Sequence, residues 1–211
     1  MNKIFSITNE ELEHIENEIK NDIKYGREGI LIDSALKNFP LNNDISIVAM
    51  KISLIDLTNG TNLSRNLGKN GGIYELAKKI TMIDFDKRVS NGDITIVNEL
   101  AKWTKDNIGK NLFSFITKYC LYHNVHCYNK DDFVIYDSVV ADNLSKYISN
   151  EDYKKITGKT LYKNSLKKCK YNYNYEEYKK VIDFIILSNN IVIDKPHRKM
   201  DWFIWYKNRN K

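Results

Sequence analysis

The sequence predicts a mostly α-helical protein, a single helical domain over residues 1–211, and three observations carry that expectation. Segments of helix length with apolar residues at three- and four-residue spacing recur along the chain. Proline occurs twice and glycine nine times, too seldom for the turn-dense punctuation of an all-β sandwich. A chain of 211 residues also buries a sizeable core without disulfide or metal staples. Two lobes, residues 1–100 and 101–211, are the alternative within the same class.

The elements follow in order. Thr8 and Glu11 form a capping-box pattern that opens a helix with the stripe Leu12, Ile15, Ile19 and Ile23, with Gly26 expected as its stop. A short helix near Ile30 to Phe39 ends at Pro40. Asn43 or Asp44 caps a helix that runs through Leu57 to the Asn59-Gly60 stop. The glycine- and asparagine-rich residues 59–72 predict an irregular loop in which Arg65 and Lys69 stand as candidate phosphate contacts or as plain solvated charges. Helical patterns resume over Ile73 to Phe85, Ile94 to Trp103 and Leu112 to His123. Residues 124–133 read as a polar turn and Val134 to Ile148 as an extended entry followed by helix. Tyr175 to Leu187 is helical, and the aromatic tail MDWFIWYKNRNK docks on the core.

Composition limits the function classes. Cys120, Cys127 and Cys169 are an odd number with no CxxC pair, which argues against a disulfide framework or a metal cluster and, with no secretory leader evident, for a cytoplasmic setting. No apolar run reaches the roughly 18 residues of a membrane span. The net charge of +6 is concentrated: Lys154, Lys155, Lys159, Lys163, Lys167, Lys168 and Lys170 fall between Tyr153 and Tyr175 with no acid among them. Lysines interleaved with Tyr153, Tyr162, Tyr171, Tyr173 and Tyr175 are the composition of a surface that tracks a phosphate backbone and stacks on bases, although a solvated lysine-rich segment has the same composition.

The stretch FSFITKYCLYHNVHCYNKDDFVIYDSVV, residues 113–140, carries the chemistry. On a helical wheel Leu112, Ile116, Tyr119 and His123 form an apolar stripe, and Lys118 lies at its border between Phe115 and Tyr122. An amine held there by a buried stem faces a cleft, and desolvation favours the neutral, nucleophilic form of an amine. Asp137 stands in the apolar run VIYDSVV, where a carboxylate needs a partner; capping the following helix through Val139 and Val140 supplies one. The pair reads as a catalytic couple or as a structural lysine and helix cap.

The string T-K-Y-C and Asp137, nineteen positions beyond Lys118 (137 minus 118) and preceded by Val134 and Ile135, resemble the catalytic block of the 8-oxoguanine DNA glycosylases of the helix-hairpin-helix superfamily. The closing residues Arg198, Asp201 and Trp202 to Tyr206 resemble the end of small bacterial proteins of that fold. The resemblance implies a glycosylase and β-lyase that removes an oxidised or modified purine from DNA. Lys118 would be the nucleophile that forms a Schiff base, Asp137 its electrostatic partner, and no dissolved cofactor would be needed. Because the base must leave the stack, a base pocket at Phe115, Tyr119 and Tyr136 is expected, with the seven lysines binding the backbone. The chain departs from the family before the lysine, where NIGKNLFSFITK has only Gly109 in place of a glycine-rich hairpin. The alternative is therefore a non-catalytic nucleic-acid-binding or partner-binding protein of the same fold, acting in phage defence. His123 and His126 beside Cys120 and Cys127 lack a second ligand pair, so no metal is expected.

Overall fold

Local capping chemistry sets the helix boundaries in the computed structural model, which describes residues 4–61, 63 and 71–209. Arg65 and Lys69 lie outside the described residues. Thr8 caps α1 (Asn9–Asn21) through a complete capping box with Glu11. The following helices are α2 (Tyr25–Asn38), α3 (Ile45–Asn59), capped by Asp44 and stopped by left-handed Gly60, α4 (Gly72–Met82), α5 (Phe85–Ser90) and α6 (Thr95–Ile108). Gly109 ends α6, and a tight turn leads into α7 (Phe113–Tyr128). Then come α8 (Ser138–Asn143), a 3₁₀ turn (Leu144–Lys146), α9 (Asn150–Thr157), α10 (Ser165–Tyr171), α11 (Tyr175–Ser188) and α12 (Pro196–Asn208). Among the described residues there is no β-strand, so the protein is an all-α single domain.

The structure corrects the sequence reading of α7. The helix is not amphipathic with Lys118 at a border. Nearly every side chain from Phe113 to Val125 is buried, because α2, α3, α5 and α6 pack around it. It also continues through the stretch read as a turn, to Tyr128. Over Val134–Ile148 the structure has the expected extended entry, residues 134–137, followed by the six residues of α8 and the 3₁₀ turn. The core runs without a break from Ile7 to Ile204 across residue 100, and α1 packs on α12.

Burying α7 brings polar groups into the interior. Lys51, fully buried, donates to the carbonyl of Leu41 at 2.8 Å and to Asn42 Oδ1 at 3.2 Å, and its Nζ lies 3.5 Å from His123 Nε2. Burial draws Lys51 down to about 8 and His123 to about 3. His123 is thus a satisfied core imidazole.

The extended segment has no neighbouring strand, so side chains must satisfy its buried backbone. The Val134 N–H donates to Tyr175 Oη at 2.6 Å, and the same hydroxyl donates back to the Val134 carbonyl at 2.7 Å. Tyr178 Oη donates to the Ile135 carbonyl, Ser114 Oγ to the Tyr136 carbonyl, and the Tyr136 N–H to Thr117 Oγ1. Just ahead of it, His197 donates to the Asp131 and Asp183 carboxylates at 3.1 and 2.7 Å. Burial opposes an imidazolium there, but the two carboxylates outweigh it and raise His197 to about 9. This contribution to stability is complete below about pH 6.5 and disappears as pH climbs through 9. His197→Gln should therefore cost on the order of 2 kcal/mol at pH 6 and far less at pH 10, read from denaturant midpoints.

Gly26 does not stop α1, which ends at Asn21 with Asp22 as its C-cap; Ile23 is exposed. Gly26 lies inside α2, where a Cβ would sit 2.1 Å from the Lys20 carbonyl oxygen. The α1–α2 corner closes only with a hydrogen at that position. Nothing crowds a Cβ at Gly29. Gly26→Ala should lower stability by about 1–3 kcal/mol while Gly29→Ala gains up to about 1 kcal/mol; equal melting temperatures for the two variants would refute the close-approach account.

Candidate active site

Lys118 and Asp137 face one another across a hollow. Lys118 projects from mid-α7 and is 8% exposed, and its Nζ lies 3.9 Å from Asp137 Oδ2. That spacing is too long for a direct hydrogen bond and leaves the amine free to meet a substrate atom. Asp137 is the N-cap of α8, its Oδ1 accepting from the Val139 N–H at 2.7 Å. Ser114 and Thr117, on the turn of α7 before Lys118, hold the Tyr136 backbone, so the carboxylate and the amine are referenced to the same helix. The cap predicted from sequence is present, and it is compatible with the second role.

The hollow has a volume of about 290 Å³, near the lower end of the roughly 300–1,000 Å³ common for small-ligand pockets. Its aromatic walls are not the predicted ones. Phe115, Tyr119 and Tyr136 are at most 2% exposed and lie in the core. Tyr119 donates to Asn42 at 2.7 Å and Tyr136 to the Lys167 carbonyl at 3.2 Å. They point away because α7 is wrapped on all sides. Tyr25, Tyr122, Trp202 and Trp205 line the hollow instead.

Four residues that the sequence reading did not place in the site share one face of α12: Arg198, Asp201, Trp202 and Trp205 stand at i, i+3, i+4 and i+7, a polar and aromatic stripe visible in the sequence. The Arg198 guanidinium lies 4.9 Å from the Tyr122 ring centre and 4.4 Å from that of Trp202. Arg198 Nη1 and Asp201 Oδ1 are both buried without a hydrogen-bond partner among the described residues. A second hollow of about 700 Å³ shares the walls Tyr25, Gly29, Arg198 and Trp202 and is also lined by His126. Burial lowers His126 to about 4, with Arg198 adding to the effect; its Nδ1–H donates to Asp33 at 2.7 Å and its buried Nε2 is unpartnered.

The predicted DNA-binding lysines occupy a different face. Lys154 and Lys155 lie on α9, Lys167, Lys168 and Lys170 on α10, and Lys159 and Lys163 between them. Lys154, Lys155, Lys159, Lys163 and Lys168 are exposed. The concentration of charge is weaker in space than in sequence, because Lys159 pairs with Glu177 and Lys167 with Asp142 at 2.8 Å. Tyr162 and Tyr171 are exposed, while Tyr153 and Tyr175 are core residues. The lysine-bearing α10 packs on α8, the helix capped by Asp137. No group of three or more His, Cys, Asp or Glu side chains among the described residues is arranged to hold a metal ion, and no described helix is long and apolar enough to cross a membrane.

These features define an all-α protein with a partly dehydrated lysine–carboxylate hollow, and comparison with known proteins places the chain. The model of the family described as HI_0787_N, N-terminal domain, matches residues 9–127, more than half of the chain, and the protein belongs to that family. A Haemophilus influenzae relative described as an uncharacterized protein is 36% identical over 114 residues, 53% of this chain and 49% of its own length. The chain thus spans about half the length of that relative. No solved structure matches. The matched region includes Lys118 but ends before Asp137 and α12.

Asp201 should leave a thermodynamic mark. Burial and the neighbouring Asp137 raise its carboxyl to about 7, against the pull of Lys118 and Arg198. A folded-state value above the unfolded one means stability is lost as pH rises from about 4 through 7. Asp201→Asn should therefore be the more stable protein at pH 8, by roughly 2 kcal/mol, with the gain gone at pH 3.5; thermal melts at the two pH values test this.

Proposed function

We propose that this protein is a DNA glycosylase with β-lyase activity, acting on an oxidised or modified purine. The observation that carries the reading is the approach of Lys118 Nζ to 3.9 Å from a helix-capping Asp137 inside one hollow. The resemblance of residues 113–140 to the catalytic block of the 8-oxoguanine glycosylases adds independent weight.

The chemistry follows from these groups. In its neutral form, reached by loss of a proton to water, Lys118 Nζ attacks C1′ of the damaged nucleotide with its lone pair as the bond to the base breaks, the bonding pair leaving with the base. Asp137, fixed by the Val139 N–H, stabilises positive charge developing on the sugar. Ring opening then gives a Schiff base on Lys118, from which the 3′ phosphate is eliminated. The flipped base stacks among Tyr25, Tyr122, Trp202 and Trp205. The lysines of α9 and α10 neutralise backbone charge.

Incubation with oligonucleotides bearing oxidised, deaminated or abasic sites under borohydride should yield a covalent adduct with the wild type and none with Lys118→Ala. Asp137→Asn should slow adduct formation about 10²–10³-fold. DNA binding by the wild type without any adduct across that panel would favour the non-catalytic binding protein, a reading to which the glycine-poor α6–α7 turn lends some weight.

A further inference from the structure

Two of the carboxyl groups that line the hollow, Asp137 and Asp201, have opposite surroundings, and the reading above uses only one. Asp137 accepts a backbone N–H and faces Lys118 Nζ at 3.9 Å. Asp201 sits in the same hollow, is 9% exposed, and makes no hydrogen bond among the described residues. A carboxylate with no donor is costly to bury, whereas a carboxylic acid is tolerated and has a proton to give. α12 is held in place by packing on α1, α8 and α11, so the position of Asp201 is a rigid feature of the fold.

We propose that Asp201 is the general acid that protonates the departing base, a role that rests on the lysine glycosylase reading. When C1′–N9 breaks, its electron pair moves into the purine; a purine nitrogen takes the proton of the Asp201 carboxyl and the neutral base leaves, with Asp201 reprotonated from water. Asp137 meanwhile serves the sugar. Two carboxyl groups in one site with contrasting surroundings are the recurring arrangement for such a division of labour. The proposal also narrows the substrate class to neutral purines. A base that already carries positive charge, such as an N7-alkylated purine, leaves without a donated proton.

The groups that face Asp201 fit this role. Lys118 and Tyr122 approach from α7, Asp137 from the cap of α8, Tyr178 from α11 and Arg198 from α12 itself, with Lys24 and Glu28 from the start of α2 on the wall of the hollow. Burial and the neighbouring Asp137, outweighing the pull of Lys118 and Arg198, leave the acid about half protonated near neutrality.

The test compares wild type and Asp201→Asn on two substrates, a duplex carrying whichever neutral purine lesion the wild type excises fastest, and the same duplex with a preformed abasic site. Base excision by Asp201→Asn should fall at least about 100-fold and lose the alkaline decline that the wild type shows above about pH 7, while borohydride trapping on the abasic duplex stays within a few-fold of wild type. Unchanged excision, or an alkaline decline that persists in the variant, overturns the proposal and leaves the lysine reading standing. Equal loss on both substrates also overturns it, since Asp201 would then only shape the hollow around Lys118. Failure of the wild type to form any adduct on either duplex sinks the glycosylase reading and this inference together.

Discussion

The organisation of this protein depends on a buried extended segment with no partner strand. Residues 133–136 run through the core at no more than 3% exposure, and every backbone polar group there must find a donor or acceptor away from water. Tyr175, Tyr178, Ser114 and Thr117 supply partners for the Val134 and Tyr136 N–H groups and for the Val134, Ile135 and Tyr136 carbonyls, from α11 on one side and α7 on the other. Because those hydrogen bonds admit one placement of the segment, Asp137 emerges from it at a fixed point relative to Lys118. The site is a by-product of solving a backbone hydrogen-bonding problem.

The two sides of the hollow differ in character. On the side of α7 and α8 the Asp137 carboxylate is held by the N–H of the helix it caps. On the side of α12, Arg198 Nη1 and Asp201 Oδ1 are buried with no hydrogen-bond partner among the described residues. Native proteins leave few such groups, and each costs stability that a bound ligand can return.

Sequence reasoning and structure part company at identifiable places. The pairing of Lys118 with Asp137 was legible because both residues stand out chemically from apolar surroundings. The base-pocket residues were misplaced because Phe115, Tyr119 and Tyr136 are near that pair in the chain, and the reading assumed that one face of α7 stays open. The lysine-rich window was legible as a composition, but Glu177 and Asp142, from helices outside it, take up part of its charge. Gly26 illustrates the same limit: a glycine near a helix end reads as a stop, and only the approach of the Lys20 carbonyl shows that it is a contact.

What the sequence determined by itself is local. Thr8 with Glu11, Asp44, Asn59-Gly60 and Asp137 define helix ends through hydrogen bonds and backbone conformations spanning a few residues, so they are readable wherever they occur. The all-α class follows from the same short-range patterns. Tertiary structure alone decided which helix would be enveloped, which aromatic rings would wall the hollow, and that Asp201 would stand beside Asp137 and Lys118. Those outcomes depend on α12 docking against α1 and α8, a packing of surfaces far apart in the chain whose complementarity no local spacing encodes.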